Sequence, residues 1–218
     1  MLKQEDFIRT FPIDNRTDRD VEVPLLQEFI ERVKPESLLD VGAHWSHAYY
    51  SKEIRPFIKR YDAIDILDDP ETRKIADTYY VGNAITLPLQ SYDVVICVST
   101  LEHAGLSTYK GYDYVIERNK LFYKCFTLTN KYLWLSFPIC QEYFSPTEMA
   151  PITEDQIEGF ENIFKANNCK VKERFFYNKS VTDGFPWYEH TKRDVALKIP
   201  YLDVVGTQSL CVIEAEKI

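Results

Sequence analysis

Residues 92–98 read Tyr-Asp-Val-Val-Ile-Cys-Val, a run in which nearly every side chain is apolar. A strand with one face in water alternates apolar and polar side chains, whereas a strand covered on both faces is apolar throughout. The run therefore predicts a buried strand of a parallel sheet. A more polar corner, Ser-Thr-Leu-Glu-His, follows it at residues 99–103.

Strand and helix patterns alternate on both sides of this buried strand. Apolar side chains at helical spacing indicate helices, and short apolar or β-branched runs indicate strands. The predicted strands are residues 37–42, 60–66, 79–81, 92–98 and 131–137, and the predicted helices are residues 22–33, 47–57 and 112–126. This alternation is typical of a mostly parallel sheet with helices on both faces.

The last third of the chain departs from the alternation. Thr153 is a good N-cap for a helix that runs to about Ala166, and two successive strands follow at residues 171–177 and 208–214. Two strands in succession predict an antiparallel addition to one edge of the sheet. The fold class is therefore predicted to be an α/β three-layer sandwich with a doubly wound, mostly parallel sheet and an antiparallel edge.

The 218 residues are predicted to form one domain, because single α/β domains of about 200 residues are common. Residues 1–34 would be an N-terminal extension and helix, and residues 37–137 a cofactor-binding core. Residues 138–218 would hold the substrate or act as a lid. The aromatic segments at residues 141–144 and 184–190 fit an acceptor pocket, and equally an insertion that covers the sheet edge.

Composition excludes several classes of function. Hydrophobic residues make up 45% and charged residues 28% of the chain, as in ordinary globular proteins. Asp and Glu number 34 against 26 Lys and Arg, a net charge of −8 that disfavours nucleic-acid binding. The five cysteines form no CxxC pair, so free thiols without a metal site are expected. With no signal-peptide core and no apolar run of about 20 residues, a cytoplasmic protein without a membrane span is predicted.

Polar residues follow the predicted strands at one edge of the sheet, where ligands bind in this architecture. Asp65 ends the second strand about 20 residues beyond Gly42, the spacing at which a carboxylate accepts hydrogen bonds from a ribose. The alternative is that Asp65 caps a turn beside a solvated acidic loop at residues 68–70. Gly42 is followed by Ala43-His44-Trp45-Ser46, which obstructs a pyrophosphate. The pattern favours a nucleoside ligand without a phosphate bridge.

Four stretches in this order resemble the class I S-adenosylmethionine-dependent methyltransferases. They are Leu-Leu-Asp-Val-Gly-Ala at residues 38–43, Ala-Ile-Asp-Ile at 63–66, Gly-Asn-Ala-Ile-Thr-Leu-Pro at 82–88, and the strand and corner at 92–103. The resemblance implies the Rossmann-like methyltransferase fold and S-adenosylmethionine as the cofactor. His44 and Ser46 stand where the family has its second and third glycines.

The resemblance also implies a role for each residue that matches a family motif. Asp40, Gly42 and Ala43 would lie beside the methionine end of the cofactor, and Ser99 near its amino group. Asp65 would hold the ribose hydroxyls, Ile66 would pack on the adenine, and Asn83 with Ala84 would meet the adenine edge. Asn83 could equally be a turn residue beside Gly82.

His103 is the candidate catalytic residue. A hydroxyl acceptor must lose a proton during methyl transfer, and a neutral imidazole suits that task near pH 7. The alternative is a histidine that only makes hydrogen bonds at the corner after the strand. Glu102 is expected to be a solvated acid. His44 and His47 are three residues apart, but without a third ligand we assign no metal site.

The predicted function is therefore methyl transfer to a small-molecule or saccharide-type acceptor, at oxygen. The Asn/Asp-Pro-Pro-Tyr motif of base-modifying amino-methyltransferases is absent, since Ser-Thr-Leu-Glu stands at residues 99–102. One alternative is a binding or scaffold protein that keeps the fold after its cofactor site has decayed. A nicotinamide oxidoreductase is disfavoured by the residues after Gly42.

Overall fold

A computed structural model describes residues 18–106, 114–141, 150–178, 188–199 and 209–218. Its strands are β1 (Ser37–Val41), β2 (Arg60–Asp65), β3 (Thr78–Val81), β4 (Tyr92–Val98), β5 (Thr129–Pro138), β6 (Lys170–Asn178), β7 (Tyr188–Thr191) and β8 (Ser209–Glu216). Its α-helices are α1 (Arg19–Val33), α2 (Ser46–Tyr49), α3 (Ser51–Ile54), α4 (Pro70–Ile75), α5 (Tyr114–Leu128), α6 (Glu154–Ala166) and α7 (Arg193–Leu197). Single 3-10 turns lie at Arg55–Phe57 and Leu101–His103.

The strands form one sheet in the order β3-β2-β1-β4-β5-β8-β6-β7. Strands β3, β2, β1, β4 and β5 run parallel to one another. Strand β8 pairs antiparallel with both β5 and β6. The predicted mostly parallel, doubly wound sheet with an antiparallel edge is confirmed. Strand order reverses between β1 and β4, so a ligand cleft is expected at the carboxyl ends of these two strands.

Helices cover both faces of the sheet, which explains why nearly every side chain of β4 is apolar. Val95 and Cys97 belong to the core formed with α5 and α6, where the rings of Phe122 and Phe160 stack with centroids 4.0 Å apart. Val94 and Ile96 face the opposite core, formed with α1, α2 and α3. Because side chains alternate along a strand, β4 needs apolar residues at consecutive positions to fill both cores.

The single helix predicted for residues 47–57 was wrong. The chain forms α2, α3 and a 3-10 turn instead, and Tyr50 interrupts them with a φ of −144°. Tyr50 is buried, and its hydroxyl donates a hydrogen bond to Asp40 3.1 Å away. We attribute the break to this anchor, which a continuous helix would not place against β1.

Three short elements were not predicted from the sequence. Residues 68–70, considered as a solvated acidic loop, instead start α4: Asp69 is 4% exposed and caps the helix, with Pro70 at its first position. Asp followed by Pro is a common helix start. The other two elements, β7 and α7, lie between the two strands that the sequence predicts at residues 171–177 and 208–214.

Several predictions fall on residues outside the described ranges. These residues include 1–17, most of the aromatic segment at 141–144 and most of the segment at 184–190. Four of the five cysteines are buried and all five are free thiols. In the described part of the chain, no helix has the length and apolar character to cross a bilayer.

Candidate functional site

The ends of β1, β2, β3 and β4 bring the predicted site residues to one edge of the sheet. Gly42 and Ala43 follow β1, and Asp65 is the last residue of β2. Asn83 comes just after β3 and Ser99 just after β4. Parallel strands end together, so these residues, which are distant in sequence, share one edge.

Asp40 lies beneath this edge, inside the core. Its carboxyl group is fully buried and accepts hydrogen bonds from the hydroxyls of Tyr61, at 2.6 Å, and Tyr50, at 3.1 Å. Burial raises the pKa of Asp40 to about 7, although the two tyrosine hydrogen bonds act against the rise. The carboxyl group therefore holds two tyrosines in place, and any direct contact with a ligand stays a prediction.

Gly42 joins the loop after β1 to the loop after β4. Its φ of +81° lies in the left-handed region, and a Cβ atom built there would be 2.1 Å from Oγ1 of Thr100. Only glycine fits a position with both features. Ala43 is fully buried behind it, and both backbone N–H groups donate to the carbonyl of Ile64 in β2.

The carboxylate of Asp65 is oriented by two backbone groups. The N–H of His44 donates to Oδ2 at 3.0 Å, and the N–H of Leu67 donates to Oδ1 at 2.9 Å. A carboxylate oxygen has two lone pairs, so each of these oxygens keeps one for another donor. The adjacent Ile66 is 44% exposed and offers an apolar surface beside the carboxylate.

Asp69 holds the loop that carries His44 and Trp45. Its carboxylate accepts from the N–H of Trp45 and the hydroxyl of Thr72, both at 2.8 Å, and contacts Nδ1 of His47 at 3.0 Å. Burial acts to raise the pKa of Asp69, but these hydrogen bonds outweigh it and hold the pKa well below its usual range. Trp45 adopts a φ of +67° and is 59% exposed.

His47 is thus engaged by Asp69 rather than paired with His44, whose ring stacks on Trp45 with centroids 5.2 Å apart. Across the described ranges, no group of three His, Cys, Asp or Glu side chains is arranged to hold a metal ion.

Asn83 organises the turn after β3. Its Oδ1 accepts from the N–H of Ile85 at 2.9 Å, and its carbonyl accepts from the N–H of Leu87 at 3.1 Å. Ala84 is 8% exposed and packs into the core with α5. The geometry agrees with the turn interpretation of Asn83, and its contact with adenine stays a prediction.

Ser99 connects the end of β4 to the first turn of α1. Its φ is +41°, and its backbone N–H donates to the carbonyl of Ser136 at 3.0 Å. Its hydroxyl donates to Oε1 of Glu22 at 2.5 Å and lies 3.4 Å from Oδ2 of Asp18. Arg19 forms an ion pair with the other oxygen of Glu22.

These α1 residues were not predicted as part of the site, although the sequence carries one signal. Glu22 precedes Leu25 and Leu26 by three and four positions, so it lies on the apolar face of the helix. A carboxyl group on the buried face of a helix needs a hydrogen-bond donor or a cation beside it to offset its burial. Here the partners are Ser99 and Arg19.

Glu102 differs from the expectation that it is a solvated acid. It is 1% exposed, burial raises its pKa to about 8, and its Oε2 atom has no hydrogen-bond partner among the described residues. The corner after β4 is held against the body of the protein, which explains the burial. The backbone N–H of Ala150 donates to the Glu102 carbonyl at 2.8 Å, and Arg118 donates to the Leu101 carbonyl at 3.1 Å.

His103 follows Glu102 in the 3-10 turn after β4. Its side chain is 31% exposed, and its Nε2 atom is 3.9 Å from Oε1 of Glu102. That distance is too long for a hydrogen bond. The predicted catalytic histidine is therefore partly exposed just after β4, and its role as a base stays a prediction.

Comparison with solved structures identifies the fold. The chain is similar to a SAM-dependent methyltransferase from Archaeoglobus fulgidus, with a TM-score of 0.55, 16% identity, and 91% of this chain and 94% of that chain covered. It is similar to magnesium protoporphyrin IX methyltransferase from Synechocystis PCC 6803, solved with SAH bound, with a TM-score of 0.54, 13% identity, and coverages of 98% and 94%.

A third similar structure is the N-methyltransferase NodS from Bradyrhizobium japonicum WM9 in complex with S-adenosyl-L-homocysteine. The TM-score is 0.57 at 9% identity, and the alignment covers 98% of this chain and 95% of that one. No family model and no curated protein matches the sequence. The chain has the fold of the class I S-adenosylmethionine-dependent methyltransferases, as the sequence motifs predicted.

Proposed function

We propose that this protein is an S-adenosylmethionine-dependent methyltransferase whose cofactor lies across the ends of β1, β2, β3 and β4. The observation that carries the proposal is the oriented carboxylate of Asp65. Two backbone N–H groups fix it at the end of β2, one lone pair on each oxygen remains available, and the exposed side chain of Ile66 lies beside it. That arrangement suits a ribose diol with an adjoining flat base.

The remaining residues of the edge fit the rest of the ligand. The backbone of Gly42 and Ala43 lies at the centre of the edge, between Asp65 and Ser99, where the methionine end of the cofactor would lie. Asn83 and Ala84 would border the adenine. Asp40 would act through Tyr50 and Tyr61, which it holds by hydrogen bonds. When bound, the cofactor supplies a methyl group activated by a positively charged sulfur.

The chain itself would supply positioning and a base. Placing the acceptor in line with the methyl group accounts for much of the acceleration in such displacements. His103, partly exposed in the turn after β4, would accept the proton that an acceptor hydroxyl loses. We propose a small-molecule or saccharide-type acceptor methylated at oxygen, held in part by residues 138–218. The net charge of −8 disfavours a nucleic-acid acceptor.

The decisive experiment is a calorimetric titration with S-adenosylhomocysteine, which binds without turning over. Micromolar affinity, about −8 kcal/mol, is expected for the wild-type protein, with a loss of about 10-fold or more in Asp65→Ala. Asp68→Ala is the matched control, because Asp68 is 55% exposed and pairs with Arg73 on the surface. Its affinity should equal that of the wild type.

One observation favours the binding or scaffold alternative. The loop after Gly42 carries side chains at positions where glycines would leave room for a cofactor. Ser46 is 2% exposed and the ring of His44 stacks on Trp45, where the resembling family has glycines. If S-adenosylhomocysteine gives no heat and does not raise the melting temperature at millimolar concentration, the methyltransferase proposal fails and this alternative stands.

A further inference from the structure

A charged side chain lies on the core-facing side of α5. Arg118 precedes Phe122 and Cys125 by four and seven positions, so it shares the helix face that packs against β4. The side chain of Arg118 is fully buried. A cation in the core is costly unless hydrogen bonds replace its hydration, so its acceptors show which parts of the chain it joins.

The guanidinium of Arg118 joins the turn after β4, residues 150–151 and α6. Its Nε atom donates to the carbonyl of Leu101 at 3.1 Å, and its Nη1 atom donates to Oε1 of Gln156 at 2.7 Å. Its Nη2 atom donates to the carbonyl of Ala150, and Nη1 makes a longer bond of 3.5 Å to the carbonyl of Pro151. Because the N–H groups of a guanidinium are fixed in one plane, the side chain holds these acceptors in one arrangement.

Residues 150–152 lie between the turn after β4 and the end of β5. The N–H of Ala150 donates to the carbonyl of Glu102 in the turn at 2.8 Å. The N–H of Ile152 donates to the carbonyl of Pro138 at 2.8 Å, and the carbonyl of Ile152 accepts from the N–H of Cys140 at 3.2 Å. These residues belong to the region proposed to hold the acceptor, so the guanidinium contacts both that region and the turn.

The bond to Leu101 acts on the 3-10 turn that carries His103. In this turn the N–H of His103 donates to the carbonyl of Thr100 at 3.1 Å, and the N–H of Ala104 donates to the carbonyl of Leu101 at 3.2 Å. The Leu101 carbonyl therefore accepts from Ala104 and from Arg118. Hydrogen-bond geometry in a 3-10 turn is poor, so a donor on another element helps to fix how the turn is oriented.

We propose that Arg118 is a positioning residue, which fixes the turn that carries His103 against residues 150–152 and so sets where the base lies relative to the acceptor. This inference rests on the proposed function, because His103 acts as a base only if the protein transfers a methyl group to a hydroxyl. Misplacement of a reacting group by about 1 Å lowers a rate on the order of 100-fold. Arg118 acts through the backbone of the turn.

The test follows the imidazole signals of the protein by NMR after isotope labelling of its histidines. The chain has four histidines, and His103→Gln assigns the signal of His103. Arg118→Lys keeps the charge, but a lysine lacks the planar set of donors that reaches several acceptors at once. The His103 signal should move or broaden in this variant. The signal of His47 should keep its position, because His47 is bound to Asp69 in another loop.

Arg193→Lys is the matched control, because it makes the same exchange at an arginine that joins α7 to α6 through Glu161. Its His103 signal should match that of the wild type. S-adenosylhomocysteine should bind both variants with an affinity within about twofold of the wild type, because Asp65 ends β2 and β1 lies between β2 and β4 in the sheet. A displaced His103 signal at unchanged cofactor affinity distinguishes positioning from a general loss of structure.

A folded Arg118→Lys protein with the wild-type His103 signal, or with equal changes at His103 and His47, would overturn the inference and leave the methyltransferase proposal intact. Should Arg118→Lys fail to fold, Gln156→Ala removes one acceptor and keeps the guanidinium. Gln156→Ala should move the His103 signal by a smaller amount, and an unchanged signal would contradict the positioning role. If the wild-type protein does not bind S-adenosylhomocysteine, the proposed function itself fails, and the inference with it.

Discussion

Two regions at the same edge of the sheet differ in how their carboxyl groups are hydrogen-bonded. One region is the loops after β1 and β2, and the other is the corner after β4. Asp65 and Asp69 accept hydrogen bonds on both oxygens. Glu102 is buried, with one oxygen unpartnered within the described ranges. The pKa of Asp69 is lowered and that of Glu102 is raised to about 8.

This difference separates carboxyl groups that stabilise the loops around them from one that is buried with an oxygen that lacks a partner among the described residues. A carboxylate that already accepts several N–H groups is satisfied, and it stabilises the loop around it. A buried carboxyl that lacks partners costs free energy in the ligand-free protein. Three substitutions test the contrast, beginning with the contact that joins the two regions.

Gly42→Ala should have the largest effect on stability, because the added methyl group has no room between the loop after β1 and the loop after β4. The new Cβ atom would lie 2.1 Å from Oγ1 of Thr100, at a φ of +81°. Left-handed strain together with overpacking predicts a loss of about 3–5 kcal/mol in the free energy of unfolding, measurable by urea denaturation.

Two variants check this interpretation of Gly42→Ala. Thr100→Gly in the same protein removes the atoms that clash and should restore part of the stability. Gly159→Ala, in a helix with nothing within 4 Å of the new Cβ atom, should stabilise by about 0.5–1 kcal/mol. A Gly42→Ala protein as stable as the wild type would show that the loops are not in rigid contact.

Asp69→Ala should have the next largest effect, on the satisfied side of the comparison. The substitution leaves the N–H of Trp45 and the start of α4 without their acceptor. Loss of the cap and of the charged hydrogen bonds predicts a cost of about 2–4 kcal/mol at pH 7. Because the pKa of Asp69 is lowered on folding, its contribution is present above the pKa of the unfolded chain, about 4.

The stability difference between wild type and Asp69→Ala should therefore shrink as the pH falls below about 4. Asp68→Ala is the control, because the carboxylate of Asp68 is next to Asp69 in sequence but is exposed and pairs with Arg73. It should change the free energy of unfolding by less than about 0.5 kcal/mol. Equal effects of the two substitutions would contradict the structural role given to Asp69.

At pH 5, Glu102→Gln should have the smallest effect of the three substitutions, on the unsatisfied side. Folding raises the pKa of Glu102 from 4.5 to about 8, so between these values the folded protein keeps a proton that the unfolded chain has released. Stability therefore falls as the pH rises from about 4.5 towards 8. Glu102→Gln should lose less stability than the wild type over this range. At pH 5 the free energies of unfolding of the two proteins should differ by about 1 kcal/mol or less.

Thermal melts of Glu102→Gln from pH 5 to pH 9 measure that slope. Glu36→Gln, which removes a carboxylate that is 62% exposed, should keep the wild-type slope. A Glu102→Gln protein with the slope of the wild type would mean that Glu102 ionises normally, and the comparison between the two regions would lose its basis.

The sheet was predictable from the sequence because the burial of a strand is encoded in a single run of residues. The strand at residues 92–98 was placed with its observed bounds, since seven consecutive positions that are nearly all apolar match a short strand covered on both faces. The antiparallel addition followed from two strands with no helix pattern between them. Helix interruptions were harder to predict, because the break at Tyr50 depends on its hydrogen bond to Asp40, which lies on another element.

The candidate site was predictable only in part, for a similar reason. Asp65 is recognisable from its spacing after Gly42, because the βαβ unit fixes how far apart those positions are. The burial of Glu102 depends on Ala150 and Arg118, which lie in later parts of the chain. The contact of Glu22 with Ser99 spans 77 positions, and no local pattern identifies the partner.

The position of β8 has a consequence for how the protein is made. This strand is hydrogen-bonded on both sides, by β5 and by β6, yet the ribosome delivers it after every other strand described. Until it emerges, β5 and β6 have no neighbour between them and each exposes an open edge, a surface prone to pairing with other chains. The sheet can therefore close only after Glu216 has been made, and β5 keeps an open edge from the synthesis of Pro138 until then.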